Sequence, residues 1–154
     1  MLTNKVCSRA MLLLTIALGL MACREKATGD RQVEEGRALV QRWVEEINSS
    51  RSPDVIDKYL SLDYVWHLPG ENIRGAEAVK ASFARMFSNY PDFNLTAEDV
   101  IVEGNTVVVR WTIRGTHKET GKQMMQASIS IDRIANGKFL EGWEVVADTS
   151  WVSP

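Results

Sequence analysis

Between residues 33 and 47 the apolar positions Val33, Leu39, Val40, Trp43, Val44 and Ile47 recur near a helical period, with Glu34, Glu35, Arg37, Gln41, Glu45 and Glu46 elsewhere. That spacing predicts a first helix with one face for a core. Asn48-Ser49-Ser50-Arg51-Ser52-Pro53 interrupts the pattern, and Pro53 suits the first turn of a short second helix ending at Tyr59. Residues 63–67 are rich in β-formers, and Leu68-Pro69-Gly70-Glu71-Asn72 reads as a turn. A third helix is predicted over 76–87 from Ala76, Val79, Phe83, Met86 and Phe87, and Tyr90-Pro91-Asp92 stops it. The period then changes. Residues 94–102, 106–114, 123–133 and 138–146 read as strands, divided by Gly104-Asn105, a turn over 117–121, and Asn136-Gly137. Three helices followed by four strands at hairpin spacing predict an α+β domain, a curved antiparallel sheet forming a cone backed by the helices.

The first residues follow a different logic. Lys5 and Arg9 form a basic segment, residues 11–20 (MLLLTIALGL) are apolar, and Leu20-Met21-Ala22-Cys23 places a small residue directly before a cysteine. The order resembles a bacterial lipoprotein signal. An apolar run of about ten residues is too short to cross roughly 30 Å of hydrocarbon. The division of the chain is therefore 1–22 as a lipoprotein signal peptide, 23–31 as a polar tether and 32–154 as the folded domain. By that resemblance Cys23 carries the lipid (thioether diacyl and amine-linked acyl chains such as palmitate), and the membrane is a partner through it. Arg24 follows Cys23 in place of the aspartate associated with inner-membrane retention, which points to the outer membrane, facing the periplasm.

Composition narrows the rest. The chain has 18 basic and 20 acidic residues, and the signal holds two of the basic ones, so nothing suits a nucleic acid or another polyanion. Cys7 lies in the signal and Cys23 is consumed by lipid, which leaves the domain to be held by packing without a disulfide. Two separated histidines and no free thiol make a poor zinc set, so no metal is expected. No Gly-x-Ser-x-Gly elbow and no phosphate-binding loop occur. Five tryptophans, all beyond the signal, supply apolar area for a core or a lined pocket.

From Tyr64 onward the chain resembles the SnoaL-like polyketide and ester cyclases, a branch of the nuclear-transport-factor-like superfamily. The matching residues are His67-Leu68-Pro69-Gly70, Tyr90-Pro91-Asp92, Glu103-Gly104-Asn105, Gly115-Thr116-His117, Asn136-Gly137-Lys138 and Glu141-Gly142-Trp143. Each is an ordinary turn or stop alone; their order carries the resemblance. It implies a cone-shaped pocket, an aspartate acting as general acid and base in an aldol-type closure, no cofactor, and frequent pairing of two copies, so a homodimer is admitted among the partners. The chain departs from the pattern in two places. The glycine-rich insert after Gly-Thr-His is missing, and the position four after Trp143, where the family has its aspartate, is Ala147; Asp148 follows.

The offset matters because side chains alternate along a strand. With Trp143, Val145 and Ala147 on one face, Asp148 shares the other with Glu144 and Val146, and a bulge near Val145-Val146 would return it to the pocket. The candidate catalytic residues are Asp148, His67 and His117. A carboxyl in an apolar pocket rises toward working pH, and a histidine titrates near 6.5. The bland readings are a solvated strand end for Asp148, a hydrogen-bonded core residue for His67 and a surface turn for His117. Candidate ligand-binding residues are Trp66, Trp111, Trp143 and Glu141, the last also a substitute for Asp148. Arg110 and Arg114 alternate with Val109, Trp111 and Ile113 as a solvated outer face. Two functions follow: a membrane-anchored domain holding a small apolar carbonyl compound, with acid/base cyclase or isomerase activity, or a non-catalytic envelope binding module that has lost the catalytic position.

Overall fold

The computed structural model describes residues 28–147; the segment expected to be a lipoprotein signal, Cys23, Asp148 and Trp151 lie outside them. Residues 28–50 form helix α1. The tether expected over 23–31 is therefore helical in its last four residues, where Arg31 meets Glu35 one turn on at 3.5 Å. The predicted stripe is the buried one, with Leu39, Val40, Trp43 and Ile47 all inside. Gly36 continues it, since a Cβ there would meet Val102 Cγ1 at 2.8 Å.

Helices α2 (Val55–Tyr59) and α3 (Ala76–Asn89) complete the helical layer. Lys80 of α3 ties them together through Asp54 at 2.8 Å and Asp57 at 2.6 Å. Strands β1 (Leu60–Leu68), β2 (Glu71–Arg74), β3 (Asn94–Glu103), β4 (Thr106–Thr116), β5 (Gln123–Ala135) and β6 (Lys138–Ala147) form one sheet in the order β2-β1-β6-β5-β4-β3. The β3–β6 meander is the one the sequence predicts, and Asn136-Gly137 turns with both residues at positive φ, 52° and 72°.

Two features were not foreseen. Glu71 and Asn72, assigned to a turn, begin β2. Pro69-Gly70 suffices for the reversal because Pro presets the first turn position and Gly70, at φ 86°, takes the left-handed second one. The sheet is also not wholly antiparallel, because β1 runs parallel to β6, with Trp66 opposite Gly142 and His67 opposite Trp143. Register shifts between Ala97 and Asp99 and between Arg133 and Ile134 add curvature.

The helices cover the concave face. Trp43 sets the packing, its ring edge-on to Tyr59, Phe83 and Phe139 at 5.6, 5.7 and 6.1 Å between centroids. Asn48, near the end of α1, donates from Nδ2 to the Leu95 carbonyl and accepts the Leu95 N–H, both at 2.8 Å, so one side chain pins the helix to β3. No helix among the described residues is long and apolar enough to cross a membrane.

Candidate functional site

The polar residues of β5 point the wrong way for an ordinary amphipathic strand. Ser128, Ser130 and Asp132 are buried, while Ile129 and Ile131 between them are 45% and 47% exposed. Alternation fixes the two sets on opposite faces, and here the polar set faces the helices. On β6 the inward positions are Gly142, opposite Asp132, and Glu144, opposite Ser130. Tyr64 and Trp66 of β1 and Trp111 and Ile113 of β4 complete the sheet side of a cavity of about 90 Å³ that opens to solvent. From the helical side Trp43, Val79, Phe83 and Met86 close it, and Leu60, Phe93, Leu95 and Phe139 fill the remaining wall.

Two carboxyl groups thus sit in an aromatic chamber. Trp111 Nε1–H donates to Ser130 Oγ at 2.8 Å, and Ser130 Oγ–H donates onward to Asp132 Oδ2 at 2.6 Å. The Tyr64 hydroxyl reaches Asp132 Oδ1 at 3.4 Å, a long contact for an O–H donor. Burial pushes Asp132 up to about 7 and the charge of Glu144 adds to the rise, while the Ser130 and Tyr64 hydroxyls oppose it. Glu144 accepts from Trp66 Nε1–H at 2.8 Å. It too is raised by burial, against the pull of Ser128, whose Oγ lies near without forming a hydrogen bond, and of Trp66. Tyr64 is pushed far up by burial and by the neighbouring acids, which keeps the phenol neutral. Gly142 makes the arrangement sterically feasible, because a Cβ there would collide with both Tyr64 Oη and Asp132 Oδ1.

The sequence-predicted residues divide between the two faces. Trp66 and Trp111 line the cavity as expected. Trp143, proposed as a pocket residue, is on the outer face, 38% exposed and stacked on His67 with ring centroids 5.0 Å apart. His67 is there too, Nδ1 at 2.7 Å from Asn72 Oδ1 and Nε2 at 2.8 Å from Glu141 Oε1. The structure therefore gathers His67, Glu141 and Trp143, but on the side of the sheet away from the cavity. The reason is parity: each lies one residue from an inward position, Trp66, Gly142 and Glu144. His117 follows β4 in a turn, its ring edge-on to Tyr90 at 5.5 Å and its Nδ1 buried without a partner; it does not line the cavity. Asp148 lies outside the described residues. Arg110 is exposed on the outer face and paired with Asp99 at 2.7 Å, and Arg114 is exposed.

Sequence reasoning missed Asp132, Glu144, Tyr64, Ser130 and Gly142. Trp143 served as the marker of the pocket face, and that choice inverted β6. A usable signal was present in β5, where Ser-Ile-Ser-Ile-Asp alternates polar and apolar residues in a strand paired on both sides. Such a strand has no solvent on its helix-facing side, so an alternating polar row must either face bulk water across the sheet or line an internal space.

A curved sheet folded over helices, with a pocket between them that holds buried acids, is the architecture of the nuclear-transport-factor-like cones. Residues 40–142 match the family model described as the SnoaL-like domain, and the chain belongs to that family. No curated protein matches it. Solved structures do: IdmH of Streptomyces antibioticus, named as a candidate polyketide cyclase, superposes with TM-score 0.65 at 21% identity over 76% of this chain and 95% of that one. A candidate SnoaL-like polyketide cyclase of Jannaschia sp. CCS1 gives TM-score 0.65 at 19% identity, covering 75% and 87%. AclR of Streptomyces galilaeus, named as a candidate hydroxylase, gives TM-score 0.65 at 25% identity, covering 74% and 79%. Neighbours this close in shape carry different reaction names, so function must be argued from the site.

Proposed function

We propose that the domain binds a small, largely apolar carbonyl compound in its cone and moves a proton on it, as a cofactor-independent isomerase or cyclase. The observation that carries this reading is Asp132, a buried carboxyl facing the cavity and raised to about 7, where it both accepts and returns a proton near neutrality. As the carboxylate it takes a proton from the carbon beside the carbonyl; the C–H pair becomes the enolate double bond, and negative charge collects on the oxygen. The Tyr64 phenol, neutral and only loosely held by Asp132, is the donor placed to meet that oxygen. Asp132 then returns the proton to another carbon, or the enolate carbon attacks a second carbonyl, whose π pair moves onto its oxygen and takes the proton from Asp132 as the ring closes.

The test uses 2-tetralone, a flat apolar ketone, and follows exchange of its α-protons in D₂O by NMR. Wild-type protein should exchange them with a rate that rises with pH through about 7, and Asp132→Asn should lose roughly 10²- to 10⁴-fold. Binding of the ketone with exchange only at the solvent rate would leave the non-catalytic envelope module as the better reading. Unchanged exchange in Asp132→Asn would remove Asp132 as the base.

The export signal supports placement of this domain on the bacterial envelope through lipid on Cys23. A second copy of the chain is the proposed protein partner. The outer face supports this, with Ile129 paired to Val145 and Ile131 to Trp143 in register, all four partly or largely exposed. Light scattering should report a dimer for the soluble domain and a monomer for Ile131→Glu; a monomeric wild type would refute the pairing.

A further inference from the structure

Hydrogen-bond donors inside the cavity are nearly exhausted. Trp66 Nε1–H is committed to Glu144, Trp111 Nε1–H to Ser130, and the Ser130 hydroxyl to Asp132. Tyr64 alone is loosely held. Among the described residues lining the space none is Lys, Arg or His. Ser128 Oγ, 2% exposed beside Glu144, has no formed hydrogen bond. What the walls present to a guest is therefore carboxyl lone pairs and the faces and edges of aromatic rings. A guest that brings only acceptors meets few donors, the loosely held Tyr64 hydroxyl and the Asp132 carboxyl when it is protonated, whereas a guest that brings positive charge meets two acids and several π systems. Burying two neighbouring acids is costly unless one stays protonated or a countercharge enters, and the protein supplies no countercharge to the chamber.

We propose that the ligand is an organic cation: an amine or quaternary ammonium group on an apolar body, its charge seated at Glu144 against rings such as Trp66, Phe83 and Trp111. This rests on the reading of the cone as the ligand site and names the substrate class for it; the carbonyl is handled by Asp132 and Tyr64, the ammonium by Glu144. Aromatic faces attract cations through their quadrupole, more strongly where water is excluded. A carboxylate at the same spot adds a Coulomb attraction that a neutral isostere cannot draw on. Anionic ligands are repelled by the same two acids.

Three probes of similar size separate the possibilities: benzyltrimethylammonium, its neutral isostere neopentylbenzene, and phenylacetate. Binding is read from the fluorescence of the cavity tryptophans and from NMR line broadening of each probe. The expected result is at least tenfold tighter binding of the ammonium than of neopentylbenzene, with phenylacetate unbound. Glu144→Gln should erase the preference, and near-UV circular dichroism checks that this variant keeps its packing. Equal affinity for cation and isostere, a preference that survives Glu144→Gln, or failure of all three probes to bind would overturn the proposal. Exchange of 2-tetralone protons without any preference for the ammonium would sink this inference and leave the proton-transfer reading standing; ammonium preference without exchange would do the reverse.

Discussion

Asp132 couples the site to the stability of the whole protein. Its folded-state value, about 7, lies above the unfolded value of 3.8, so the native state holds the proton more tightly. Its contribution is fully favourable below the unfolded value and is lost as pH rises through the folded one, at up to about 1.4 kcal/mol per pH unit across that window. Chemical denaturation of wild type and Asp132→Asn between pH 4 and 8 should show the variant gaining on wild type as pH rises, with no further divergence above 8. Gly142 makes the opposite demand. Gly142→Ala puts a methyl where Tyr64 Oη and Asp132 Oδ1 already lie, and overpacking of this kind should cost about 1–3 kcal/mol, read as a fall in the urea midpoint together with loss of tetralone exchange. None of this was legible from residue types alone. Ser130 and Asp132 look like solvent-facing positions and Ile129 and Ile131 like core, because the eye assigns polar residues to water; the inversion exists only because a cavity takes water's place.

At the scale of elements the sequence was more readable. The helical stripes of α1 and α3 and the Gly104-Asn105 and Asn136-Gly137 reversals announce themselves through period and turn chemistry, which are local. β2 did not, since four residues with one half-buried side chain, Ile73, carry no periodic signal. The pairing of β1 with β6 was equally silent, being a contact across most of the domain. Asn48 shows how such long-range choices are enforced, as it bonds both the N–H and the carbonyl of Leu95. Replacing it by alanine strips one buried strand residue of two partners at once and should cost about 1–3 kcal/mol. Equilibrium urea unfolding measures the loss, and Asn48→Asp, which keeps the acceptor but not the donor, should lose part of it.

For the whole molecule, the order of weak motifs from His67 to Trp143 was enough to name the family, because the cone is what places those turns at those intervals. It was not enough to say which side of the sheet holds the chemistry, since family position and side-chain parity are separate facts. The proposed envelope address is a further whole-chain property, read from residues 1–23. Cys23→Ser should move the protein from the membrane pellet to the soluble envelope fraction on cell fractionation, with tetralone exchange by the domain unaltered, and retention in the pellet would show that something other than lipid holds it.

The parallel join of β1 to β6 sets the order in which such a molecule can become whole. Trp66 and Glu144, which clasp each other across that join, stand 78 positions apart along the chain, so the loop between them must be gathered before the clasp exists. Hairpins of the meander assemble from near neighbours and need no such wait. A ribosome must therefore have made β6 before the chamber has its last wall, and any truncation that removes β6 discards both the seam and the glutamate standing on it.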